Sequence, residues 1–177
     1  MTTSLYDLSV ASFLQGLEGV EGFLAKGLDW AQETGIDPET IVETRLHPDM
    51  LPFRFQIQQV VIHSAGAVDV LKSGLLNFNR DRTPYDYAAL QGLVTEARLN
   101  LSALTREDVD VLAGGEVLID TPGNRRLFTT DGFILSFSLP NFHFHAATAY
   151  DILRTAGVPV GKRDYMGPLR LKAKLEG

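Results

Sequence analysis

Four histidines, His47, His63, His143 and His145, have the widest chemical reach in this chain. Near neutral pH an imidazole can ligate a metal, move a proton or accept a hydrogen bond. Cysteine is absent, so no thiolate nucleophile, disulfide framework or iron–sulfur site is available, and any metal must use imidazole, carboxylate or amide ligands. No G-x-S-x-G elbow, phosphate-cradling G-x-x-x-x-G-K-[ST] or strand-borne G-x-G-x-x-G occurs.

Spacing limits which histidines can act together. As a strand, SFSLPNFHFH would turn His143 and His145 to one side and would resemble the cupin metal motif, which also has a glutamate about four residues on; that position is Ala149. The alanines that follow, and the helical side shared by Ile134, Asn141, His145, Thr148 and Ile152, favour a helix that is irregular near Pro140. On a regular helix His143 and His145 diverge by about 200°. His47 lies on the order of 24 Å below His63 if one continuous helix carries both, too far for a shared ion. Asp69 points off the His63 face, and His47 beside Pro48 and Asp49 is expected to support a helix start. His143 is expected at the surface or an interface.

Four long helical segments must position these side chains. Residues 3–34 carry Val10, Phe13, Leu14, Leu17, Val20, Leu24 and Leu28 at helical spacing, and Gly35 can end that helix. Gly16, Gly19 and Gly22 fall along one side, where a neighbouring backbone could come close. Asp37 before Pro38 can cap a short extra turn. The second helix is expected from an Asp49 N-cap, with Pro52 in its first turn, to Ser73 and a Gly74 stop; its buried line is Phe53, Ile57, Val60, Ser64, Ala67 and Leu71, with His63 and Val70 on the flank. NFNRDRTPYD is expected as a loop. Thr83 and Pro84 then open the third helix, with Leu90, Leu93, Val94, Ala97, Leu101 and Leu104 inward, and LTRED caps a short turn. EVLID and RRLFT around a Thr-Pro-Gly-Asn turn read as a hairpin. Thr130 and Asp131 cap the last helix, Phe133 to about Thr155, closed by Gly157 and Pro159.

The whole chain bounds this reading. At 177 residues and 45% hydrophobic, it fits one compact domain spanning 1–177. A net charge of -6 gives no basic footprint for nucleic acid. The start MTTSLYDLSV is unlike a signal peptide and no stretch suits a membrane span, so a cytoplasmic protein without membrane or nucleic-acid partners is expected.

NFHFHAATAYDILRTAGVP resembles the last helix of the DinB/YfiT superfamily of four-helix metalloproteins, with His145, Arg154 and Gly157-Val158-Pro159 at the family spacing. LHPDMLPFRFQIQQVV, LSFSLPNFHFHAATAYDILR and GVPVGKRDYMG are similar to a bacterial family within it, domain of unknown function 1993, over nearly the whole chain. The resemblance implies a mainly all-α fold, an antiparallel four-helix bundle of DinB/YfiT-like type with a small β-hairpin inserted before the last helix. It also implies a metal position held by one histidine on the second helix and two, four residues apart, on the last. His63 and His145 match two of these; Asn141 stands at the third, and an amide oxygen is a poor ligand for zinc-type ions.

Two functions follow from that resemblance. In one, His63, His145 and Asn141 form a polar cluster in a small-ligand pocket whose metal site is degenerate or absent. In the other, His63 and His145 hold a divalent ion, zinc or nickel, as a Lewis acid for a thiol-dependent transferase or a hydrolase. A homodimer is expected through apolar surface that includes Phe142 if it faces outward, with Trp30 extending the patch. The dispersed basic tail of Lys162, Arg163, Arg170, Lys172 and Lys174 is expected to pack along the bundle or a partner.

Overall fold

A computed structural model describes residues 3–76, 83–121 and 123–173. A short α1 (Leu5–Leu8) leads into α2 (Val10–Thr34). Two elements replace the one helix expected here because the Ser9 hydroxyl donates to the Leu5 carbonyl at 2.6 Å and Ser9 leaves helical geometry at ψ -85°. The helix α2 stops at Gly35, whose φ of 70° is left-handed and suits glycine. Asp37 then accepts the Glu39 N–H at 3.0 Å at the start of α3 (Glu39–Val42).

The second long segment starts later than Asp49 and is broken. Pro52 is the N-cap of α4 (Phe53–Ile62), because a residue preceding proline is pushed out of helical geometry and Leu51 cannot join. Asp49 instead pairs with His47. At His63 and Ser64 the helix interrupts before α5 (Ala65–Ser73), with Ser64 at φ -116° and ψ -86°. The Ser64 hydroxyl takes the Val60 carbonyl at 2.7 Å, while the His63 carbonyl accepts from Ser138 at 3.0 Å across the core. Backbone acceptors freed by the break are thereby satisfied. The expected inward line from Phe53 to Leu71 is buried throughout.

Gly74, at φ 69°, ends α5 and is followed by β1 (Leu75–Leu76). Six residues of the expected loop, 77–82, lie outside the described residues. Asp86, not Thr83, caps α6 (Tyr87–Ser102): its carboxylate accepts the Ala89 N–H at 2.7 Å. Thr105 and Asp108 form a reciprocal capping box at α7 (Arg106–Asp110), as LTRED suggested. The hairpin forms from β2 (Glu116–Thr121) and β3 (Asn124–Thr129), with Val117 opposite Phe128 and Ile119 opposite Arg126. Pro122 of its turn lies outside the described residues. β1 adds parallel to β2, Leu75 opposite Leu118, giving a three-stranded sheet where two strands were expected.

Thr129 caps the last segment, accepting from Gly132 at 3.1 Å; Thr130, one residue on, is buried and Asp131 follows it in the first turn. That segment runs as α8 (Thr130–Phe133), a π-helical turn (Ile134–Ser138) and α9 (Leu139–Ala156). Pro140 supplies the cause: it has no N–H for the preceding turn and its ring would press on the Ser136 carbonyl, so the backbone widens just upstream. Gly157 closes α9 at φ 102°, and α10 (Lys162–Met166) lies back on α2.

The four long segments close a ring, α2 on α6 and α9, and α4 on the same two helices. Phe13, Phe23, Phe53, Phe133 and Phe142 are fully buried inside it, each worth roughly 1.5–3 kcal/mol of apolar transfer. Arg98–Glu21 at 2.6 Å joins α6 to α2 and Lys26–Asp164 at 2.7 Å joins α10 to α2. Phe142 faces inward, against the outward placement that would have put it in a dimer patch: it packs edge-on to Phe13, 5.5 Å between ring centroids, over Gly16. Phe144 is the exposed aromatic of α9. Trp30 is half-buried.

Candidate functional site

The break in the second helix and the π turn in the last meet across the core, and a histidine from the break faces one from the helix that follows the turn. His63 caps the C-terminal end of α4 and His145 sits two turns into α9. Their rings lie 5.9 Å apart between centroids and within 8° of parallel. Phe137 meets His63 edge-on at 5.5 Å, and Phe55 meets His145 at 5.9 Å. The rings pack against the imidazoles, His63 buried and His145 half-buried, and burial is the main reason both pKa values fall to about 4; for His63 the neighbouring His145 adds repulsion. Near pH 7 the pair is neutral.

Gln56, which the sequence reading missed, defines the hydrogen-bonding state of His145. Its amide nitrogen donates to the Leu51 carbonyl at 2.8 Å, and a carbonyl can only accept. The Gln56 Oε1 is therefore the atom facing His145 Nδ1, 2.8 Å away. Two acceptors cannot share that contact, so Nδ1 carries the proton and Nε2 keeps its lone pair. A signal existed: Gln56 precedes His63 by two helical turns and so shares its face. Nothing local tied it to His145.

The other candidates separate from this pair. Asn141 lies one turn before His145 on α9, half-buried, but its amide donates to the Phe137 carbonyl of its own helix at 2.7 Å. That carbonyl lies within the π turn, so the Asn141 side chain bonds back onto its own helix there. His143 turns to the other side of α9, where Nδ1 lies 3.3 Å from the Tyr165 hydroxyl of α10, and burial lowers its pKa. His47 is exposed beside Asp49 ahead of α4, and Asp69 is exposed on α5. Among the described residues no group of three or more His, Cys, Asp or Glu side chains is placed to hold a metal ion. Two neutral imidazoles and an amide oxygen do not make a tight zinc-type donor set, which favours imidazole or thiolate.

A ring of four long helices with paired side chains between the second and the last defines a DinB-type helical bundle. The crystal structure of a DinB family member protein from Shewanella denitrificans is similar to the chain at a TM-score of 0.80 and 27% identity, over 96% of each chain. Residues 5–166 match the domain of unknown function family (DUF1993), and the chain belongs to that family. No curated protein matches it. Among the described residues no helix is long and apolar enough to cross a membrane.

Proposed function

We infer that this chain is a DinB-like bundle in which the position used for a metal in the superfamily has become a small neutral polar pocket for an uncharged ligand. The observation that carries this reading is Asn141: the third ligand position holds an amide whose nitrogen donates to the Phe137 carbonyl, which leaves only its oxygen, a poor ligand for a zinc-type ion. What is left is a pair of neutral imidazoles, one with a defined free acceptor at Nε2. Such a pair suits a ligand that donates hydrogen bonds, and its aromatic walls limit competition from water.

One observation favours a second reading, a divalent-metal enzyme using His63 and His145. A histidine that ligates through Nε2 is commonly oriented by an acceptor on Nδ1–H, and Gln56 supplies one. Metal analysis separates the readings. Protein purified without an affinity tag and dialysed against chelator-treated buffer is expected to hold no stoichiometric zinc, nickel or manganese on reconstitution. Asn141→His, which restores two histidines one turn apart, is expected to bind one equivalent tightly. Equal stoichiometric metal in the parent and in Asn141→His would overturn the first reading and establish the second.

A further inference from the structure

A cavity of about 270 Å³ opens between α2, α9 and α10, on the side of α9 away from Gln56. Neither His63 nor His145 lines it. Drug-sized sites run to roughly 300–1,000 Å³, so this one is the size of a small metabolite.

Its walls are built by close backbone approach. A Cβ on Gly16 would fall 2.4 Å from the Phe142 ring, and one on Gly19 would fall 2.5 Å from the Tyr165 carbonyl. Gly167, at φ 62°, would place a Cβ 2.3 Å from the Gln15 carbonyl. Gly19 and Gly167 seat the chain from Asp164 to Gly167 directly on α2, where the Gln15 amide also holds the Met166 carbonyl at 3.2 Å and Lys26 holds Asp164, while Gly16 makes room for the Phe142 ring. The glycine spacing noted in the sequence finds its use here at Gly16 and Gly19; Gly22 faces open space.

Phe142, Leu139 and Ala146 make an apolar floor, while His143, Tyr165 and Arg170 are polar groups on the same lining. Among the described residues no carboxylate lines the cavity, and Arg170 is the one charged lining group. Arg170 forms no ion pair among the described residues, whereas Asp164 nearby is committed to Lys26 and to the Gly161 N–H. The His143–Tyr165 pair adds a donor when the hydroxyl donates to Nδ1, which leaves the Nε2–H free; with the proton on Nδ1 instead, the hydroxyl faces the His143 carbonyl at 3.5 Å. Burial, and then Asp151, raises the Tyr165 pKa and keeps that hydroxyl protonated. A guanidinium with an adjacent neutral donor, above an apolar floor, matches a carboxylate on an apolar body.

We propose that this cavity is a binding site for a small monocarboxylate with an apolar body, its carboxylate held by Arg170 and the His143–Tyr165 pair. The site is independent of the reading given to His63 and His145. Benzoate tests it, with benzamide as the uncharged isostere, titrated into the ¹⁵N-labelled full chain at neutral pH. Benzoate is expected to shift the amides of Gly16, His143 and Tyr165 saturably and to leave that of Gln56 in place. Benzamide is expected to bind roughly ten- to a hundred-fold more weakly, the worth of a charge-assisted hydrogen-bond pair. Arg170→Gln, at an exposed position that leaves the core untouched, is expected to bring benzoate down to the benzamide level; Tyr165→Phe is expected to cost a few-fold, the worth of one neutral hydrogen bond. No saturable shift at these amides, benzoate shifts centred on Gln56 and His63, or undiminished benzoate binding by Arg170→Gln would each overturn the proposal.

Discussion

Acidification from pH 7 to pH 4 should destabilise this protein through His63 and His145 before its carboxylates contribute. Both imidazoles titrate near 4 when folded against an ordinary 6.5. A group whose folded pKa is depressed binds fewer protons than the unfolded chain between the two values, so stability is lost as pH falls through that window. The window runs from about 6.5 to about 4, and the loss is complete below the folded value. A depression of that size corresponds to about 3 kcal/mol for each ring at full effect, large against the 5–15 kcal/mol that holds a typical domain. His143, whose pKa burial also lowers, acts in the same direction. Asp7, Asp108, Asp131 and Asp164 are depressed below an ordinary 3.8, Asp7 to about 2 beside Arg106. Their stabilisation is present above 3.8 and is lost only below it, so the two windows hardly overlap. Urea unfolding at half-unit steps from pH 7.5 to 4 reads the effect. The parent midpoint is expected to fall steeply below pH 6.5, and His63→Leu is expected to show about half that slope. NMR titration of the ring Hε1 resonances should give midpoints near 4 for both. A midpoint near 6.5 for either ring, or a stability flat between pH 6.5 and 4, would refute the claim that Phe55 and Phe137 desolvate the pair.

Two further outcomes follow from packing, beside the metal gain of Asn141→His and the benzoate titration. Gly16→Ala must displace the Phe142 ring that would stand 2.4 Å from the new Cβ, and should lower stability by about 1–3 kcal/mol; Gly22→Ala, with nothing within 4 Å, should raise it by up to about 1 kcal/mol through helix propensity. Thermal melts of the two variants therefore move in opposite directions, and a shared direction would contradict the placement of the glycines. Sedimentation equilibrium at micromolar concentration is expected to give twice the 19.5 kDa chain mass, falling to the monomer in Phe144→Glu, because the exposed aromatic of α9 is Phe144 and not the buried Phe142; a concentration-independent 19.5 kDa for the parent would exclude the dimer.

Features that local chemistry dictates were legible along the chain alone. Apolar side chains at helical spacing named the buried lines of α2, α4, α5 and α6, since a helix has one way to hide such a stripe. Gly35, Gly74 and Gly157 ended helices where expected because left-handed backbone at a helix end favours glycine, and the Thr105–Asp108 box is complete within one turn. The irregularity near Pro140 was legible from the missing N–H. The placement of His63 opposite His145 came through likeness to known proteins, for periodicity gives each helix a face but not its neighbour. Packing between distant segments settled the rest. The strand Leu75–Leu76 exists because β2 offers an edge to pair with. The break at His63 and Ser64 stands because Ser138, distant in sequence, satisfies the freed carbonyl. Neighbours also decided which flank of α9 went inward: Phe142 over the bare backbone of Gly16, His143 toward Tyr165, and His145 against Gln56, a partner 89 residues away that sets where its proton sits. Contacts of that range depend on how whole helices pack, and no residue pattern within one helix encodes them.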